Sequence, residues 1–226
     1  MGFSVEYRTD TTIVGSKSLC QWVQDNEDPA SELWSARRQQ CMRNIIAAQH
    51  DAQGAVRWIR AHAADYGIDP NKVAVGGFSA GAVTAANVAY RSDDIGTVVY
   101  FDGDDLSVDR SKVQAAFGAS GCAYPEGVSD GAPTYIGEGD APLSLIHAEI
   151  DGAVPYRCAA VTAETARSEG LVAELRSYCD EQGHANGLYQ AHKADTDEQW
   201  TTFLARELRL YSGMAPASAD PTCDQG

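Results

Sequence analysis

Apolar residues recur at three- and four-residue spacings from Glu32 to Tyr66, where Met42, Ile45, Ile46, Ala52, Val56, Ile59 and Ala63 share one face. That period predicts a long amphipathic helix. Gly67 and the turn-forming "DPN" that follows it end the helix. "KVAVGG" then predicts a buried strand, and the alanine-rich run Ala80 to Tyr90 a second helix. "GTVVYFDG" from Gly96 and "APLSLIHA" from Ala141 predict two further strands. Pro155 to Glu169 reads as a helix closed by Gly170, "LVAELRSY" as a strand, and Asp195 to Leu210 as an amphipathic helix carrying Trp200, Phe203, Leu204 and Leu208. Toward the start, "GFSVEY" is a short β-type run, and Arg8 to Ser31 is polar without a clean period. Residues 104–139 are rich in glycine and weakly patterned, which predicts a lid-like or pocket-shaping insertion. "MAPASADPTCDQG" reads as coil.

Strands and helices in alternation predict a mostly parallel sheet covered by helices on both faces, a three-layer α/β/α sandwich. With 226 residues the chain is long enough for one sizeable core, so a single domain over 1–226 is expected. Functional side chains should gather at the carboxyl ends of the strands.

Charge narrows the partners. The formal net charge is −15, and such a surface repels nucleic acid and anionic lipid. No apolar run reaches the roughly 20 residues of a membrane-spanning helix. Met1 to Asp10 lacks the basic-then-apolar layout of a secretory signal.

Six cysteines are present: Cys20, Cys41, Cys122, Cys158, Cys179 and Cys223. None forms a C-x-x-C pair, which argues against a zinc site. An even count at loops and element ends fits a disulfide framework and export. Small buried thiols are the other reading. Cys20 and Cys41 flank one connecting segment and are the pair expected first.

Gly77-Phe78-Ser79-Ala80-Gly81 fits G-x-S-x-G, between a predicted strand and a predicted helix. The motif describes a sharp strand-to-helix turn that lifts the serine above the sheet and leaves no room for side chains two residues either side. It also aims the backbone N–H of Ala80 at the place where an oxyanion would develop. A serine hydroxyl needs a base, and the base an orienting carboxylate. Asp151 follows the strand "LSLIHA" and stands at its carboxyl end, with Glu149 as a possible substitute. Asp140 precedes that strand, and Asp104 and Asp105 follow an earlier one. His184 follows the next strand on a glycine-flanked turn, and His192 is its competitor. His50 and His62 lie within the first helical pattern, and His147 within the strand before Asp151.

Three stretches carry a resemblance: "DAQGAVRWIRAHAADYGIDPNKVAVGGFSAG", "IHAEIDGAVPY" and "GHANGL". Over roughly Asp51 to Leu210 the chain resembles the α/β-hydrolases of carboxylesterase type, similar to feruloyl esterases and polyester depolymerases. The resemblance implies Ser79 as nucleophile, Asp151 as acid, His184 as base, Ala80 as one oxyanion donor, a small-molecule ester as substrate, and no metal or organic cofactor. It also implies that "GFSVEYR" matches the fourth strand of such sheets. Strands one to three, and the glycine-rich loop giving the second oxyanion donor, then have no counterpart, as in an N-terminally truncated fragment. A peptidase of the same fold and a non-catalytic or impaired module are the rival expectations.

Overall fold

The structure, a computed structural model, describes residues 1–8, 13–14, 17–26, 28, 30–124, 133–211 and 223. The predicted coil after Gly213 lies outside the described residues, apart from Cys223.

Four strands form a sheet in the order β3-β4-β5-β6: β3 (Ala74–Phe78), β4 (Ala115–Ala119), β5 (Leu143–Ile150) and β6 (Ala173–Gln182). All three pairings are parallel, so every strand ends at the same rim. Before it come a two-residue antiparallel ribbon, β1 (Ile13–Val14) with β2 (Lys17–Ser18), and then α1 (Leu19–Asp25), which Ser18 caps at Gln21 N–H.

Alternation along β5 sorts the two faces. Leu143 and Leu145 join Val56, Val88, Tyr90 and Ala159 in the larger core. Ile146 and Ala148 join Leu188 and Trp200 on the opposite side. Helices α2 (Glu32–Ala61), α4 (Ala80–Tyr90) and α6 (Tyr156–Ser168) supply the first layer. Helices α7 (Ala185–Ala191) and α8 (Lys193–Glu207) supply the other. Burial on both faces explains why even the polar Ser144 and His147 of β5 are out of solvent.

The long predicted helix is α2 followed by the short α3 (Ala63–Tyr66), and Gly67 closes it in the left-handed conformation at φ 64°. Three expectations are corrected, and two weakly patterned stretches prove to hold regular elements. "KVAVGG" is not a fully buried strand: β3 pairs only with β4 among the described residues, and Phe78 is 40% exposed. The stretch from Gly96 forms no strand. The Tyr100 N–H turns instead to Asp104 Oδ2 at 3.1 Å, and Val99 is exposed. "GFSVEY" also forms no strand. Phe3 packs edge-on against Trp58 and Tyr66 instead, outside the sheet. The weakly patterned 104–139 contains α5 (Val108–Ser111) and the central strand β4, while 125–132 of it lie outside the described residues. Lastly, the polar stretch Arg8 to Ser31 holds the helix α1.

Four of the five β4 residues are Ala or Gly because α4 approaches closely there: a Cβ on Gly118 would stand 2.7 Å from the Ala82 Cβ, and one on Gly121 just beyond the strand 2.4 Å from it. Three disulfides tie the layers: Cys20–Cys41, the pair expected first, then Cys122–Cys158 and Cys179–Cys223. The alternative of buried free thiols is not realised, since no cysteine is free. Among the described residues no helix is long and apolar enough to cross a membrane.

Candidate active site

Ser79 stands between the end of β3 and the start of α4 with φ 54° and ψ −122°. Non-glycine residues hold such a conformation only where surrounding structure imposes it. Here the Ser79 N–H donates to Ala119 O at 2.9 Å, and its carbonyl accepts from Ala82 and Val83 N–H. Gly77 is required because a Cβ there would meet the Gly81 backbone at 2.4 Å. The turn raises the hydroxyl above the strand ends and leaves the Ala80 N–H in the first turn of α4, at its electropositive end.

Two further residues meet that serine from neighbouring strand ends. Asp151 follows β5, and its Oδ1 accepts the backbone N–H groups of Ala153 (2.8 Å) and Val154 (3.0 Å). His184 lies between β6 and α7. Its Nδ1 is 2.9 Å from both Asp151 oxygens, and its Nε2 is 2.9 Å from Ser79 Oγ. A carboxylate only accepts, so Nδ1 carries the proton and Nε2 faces the hydroxyl with its lone pair. Burial of Asp151 pushes its carboxyl pKa up. The hydrogen bonds from His184, Val154, Ala153 and Ser120 outweigh that, and the pKa falls below the ordinary 3.8. Asp151 is thereby held ionised beside His184, whose side chain is 34% exposed while that of Asp151 is fully covered.

The other candidates are engaged elsewhere. Glu149 accepts the Asp180 N–H, and Asp140 binds Ser92 and the Gly137 N–H. Asp104 pairs with Arg57, and Asp105 takes the Ser107 N–H. His192 contacts Glu181 at 2.8 Å and stacks on Tyr178. His50 meets Asp94, and His62 meets the Trp58 carbonyl. His147 is fully buried behind Asp151, with Nδ1 donating to Ala148 O at 3.0 Å, and burial lowers its pKa so that it stays neutral.

Sequence reasoning missed Ser120. This fully buried residue follows β4 with φ 54°, and its Oγ accepts the Ala185 N–H at 2.8 Å. Its hydroxyl also helps to hold the Asp151 pKa down. It therefore stands between Asp151 and the peptide that follows His184. Ala185 is itself at φ 47°, so three strained non-glycine residues surround this hydrogen-bond chain. The available signal was a polar residue at a strand end, and it was hidden because β4 was not legible as a strand.

A cavity of about 330 Å³ opens onto Ser79 and Ala80. Val83 of α4, Ile45 of α2, Leu19 of α1 and Val154 give it apolar walls. Helix α1 closes one side, tied by Cys20–Cys41 to α2 and by Gln21 Nε2 to Gly152 O at 2.5 Å. Among the described residues, the one grouping of metal-ligand types is Glu149, Cys179 and Cys223, whose sulfurs are spent in a disulfide.

The family model described as BD-FAE matches residues 37–124. Comparison with curated protein sequences finds no match. Among solved structures, the native esterase Est2 of the planctomycete Thermogutta terrifontis is similar, with a TM-score of 0.58, 23% identity, and 72% of this chain and 64% of that one covered. Its propionate-bound form gives 0.58, 21%, 77% and 68%. A truncated carbohydrate esterase from gut microbiota gives 0.54, 20%, 72% and 69%. The chain thus spans less than two thirds of the native Est2 structure. Likeness at such identity speaks to the fold. A parallel sheet between helical layers, with a strained serine where β3 turns into α4, gives this chain the α/β-hydrolase fold.

Proposed function

We propose that the chain is a serine hydrolase of carboxylic esters acting through Ser79, His184 and Asp151. The observation that carries this reading is the continuous chain from Ser79 Oγ through His184 to the buried Asp151, each step at 2.9 Å, beside an open cavity. His184 Nε2 takes the proton as Ser79 Oγ attacks the ester carbonyl, and Asp151 stabilises the imidazolium that forms. The Ala80 N–H donates to the oxyanion. The tetrahedral intermediate collapses, His184 returns the proton to the leaving alcohol, and an acyl group stays on Ser79. Water, deprotonated by His184, then releases the acid.

Esterase neighbours support an ester over an amide as substrate. Among them Est2 has been captured phosphorylated by paraoxon and phosphoramylated by tabun. The mostly apolar cavity fits a small uncharged acyl or alcohol group. Of residues 104–139, Tyr124 lines this cavity, and in our reading the segment shapes the pocket through it. Three disulfides fit an oxidising, extracellular location.

Labelling with a fluorophosphonate probe tests the reading. Ser79 should label in folded protein, and p-nitrophenyl acetate should be cleaved. Ser79→Ala should abolish both. Full hydrolysis by Ser79→Ala would remove Ser79 from the mechanism, and a folded parent that neither labels nor hydrolyses would leave a non-catalytic module.

A further inference from the structure

An ester hydrolase of this design needs a second donor opposite the Ala80 N–H, because one hydrogen bond leaves half of the developing oxyanion unmet. Resting on the function proposed above, we infer that the phenol hydroxyl of Tyr7 is that second oxyanion donor.

Four observations converge on Tyr7. Among residues 1–8 it alone is turned inward, half-buried between exposed neighbours. It lines the same cavity as Ser79 and Ala80. Gly81 follows Ala80 directly, and a Gly81 Cβ would stand 3.8 Å from the Tyr7 hydroxyl oxygen, the one such neighbour among the described residues outside its own helix. The phenol therefore overhangs the first turn of α4, beside the peptide whose N–H is the first donor. Among the described residues no acceptor takes its proton.

The segment is also anchored on both sides. The main-chain N–H of Arg8 donates to Asp51 Oδ2 at 2.7 Å, while Arg8 Nη2 and Nε reach Asp51 at 2.7 and 2.9 Å. Four residues before Tyr7, Phe3 packs edge-on against Trp58 and Tyr66 of the α2–α3 region. Two clamps therefore hold the intervening tyrosine against the cavity, as a preorganised donor requires. Tyr7 takes part through its hydroxyl alone. It donates a hydrogen bond that strengthens as the carbonyl oxygen becomes an oxyanion, so its contribution falls on the transition state and not on substrate binding.

The test is Tyr7→Phe, which keeps the ring and removes one oxygen. Competent sites are first counted by fluorophosphonate titration of Ser79, so that any misfolded fraction drops out. Hydrolysis of p-nitrophenyl acetate per titrated site should fall about 100- to 1,000-fold with KM unchanged. Affinity for a trifluoromethyl ketone, whose adduct with Ser79 carries an oxyanion, should fall by the same factor. Turnover per titrated site within about twofold of the parent would overturn the inference while leaving the hydrolase reading intact. A parent that neither labels nor turns over removes that reading, and this inference with it.

Discussion

The two sides of the cavity are built differently. On one side Ser79, Ser120, Asp151 and His184 all follow parallel strands, and backbone groups fix them: Ala119 O, the Ala153 and Val154 N–H groups, and the Ala185 N–H. On the other side stand Tyr7, Arg8 and α1. Side-chain ties hold these: the Arg8–Asp51 pair, the Gln21 bond to Gly152 O, and Cys20–Cys41. Atoms that must meet within tenths of an ångström ride on the sheet. The wall that shapes the space is stapled on afterwards, so chemistry and pocket shape are separable by mutation.

The largest expected effect lies on the sheet side. Asp151→Asn keeps the shape but donates where His184 needs an acceptor, and kcat should fall about 10,000-fold with little change in KM or melting temperature. Steady-state kinetics and a thermal melt check both halves of that statement.

Next comes a purely structural break. Arg57 and Asp104 are out of solvent, joined at 2.6 Å and 3.0 Å, with Ser111 Oγ taking a further Arg57 proton. Arg57→Ala leaves a buried carboxylate without its partner and should cost about 3–5 kcal/mol in denaturant unfolding. Replacing Cys20 and Cys41 together by Ser should cost about 3 kcal/mol, from the entropy of the 21-residue span that the bond closes. Beyond stability, this pair sharpens the contrast. KM should rise, because α1 lines the cavity, while the rate of Ser79 labelling at saturating probe should hold.

The smallest effect is acid sensitivity. Burial raises the pKa of Asp51, but Arg8 and Tyr100 outweigh it, and Arg57 lowers that of Asp104. With Asp151, three carboxyls thus bind protons less readily folded than unfolded. They stabilise the fold above the ordinary 3.8 and lose that contribution as pH falls through their depressed values. Asp140 acts in the opposite sense, since burial raises its pKa. Guanidinium melts between neutral pH and about pH 2 should show a net loss of stability below the ordinary carboxylate range.

What was legible in the sequence follows the same division. The turn at Ser79, the helix Ala80 to Tyr90 and the strand before Asp151 announce themselves by glycine spacing and apolar period, because the constraints are local. β4 does not, since four of its five residues are Ala or Gly, packed where α4 approaches closely, and small residues carry no period. Val98 to Tyr100 reads as a strand from its composition, yet a strand needs a neighbour, and no single-sequence pattern reports one. α1 is seven residues in a polar stretch, and its place beside the cavity depends on a disulfide partner beyond its own sequence. Ser120 was out of reach for the same reason as β4.

The three disulfides run in sequence, Cys20 with Cys41, Cys122 with Cys158, Cys179 with Cys223, with no span crossing or enclosing another. During vectorial synthesis each bond therefore finds its partner in the next cysteine to emerge. Oxidation can keep pace with the growing chain, and no early bond has to be undone to admit a later one.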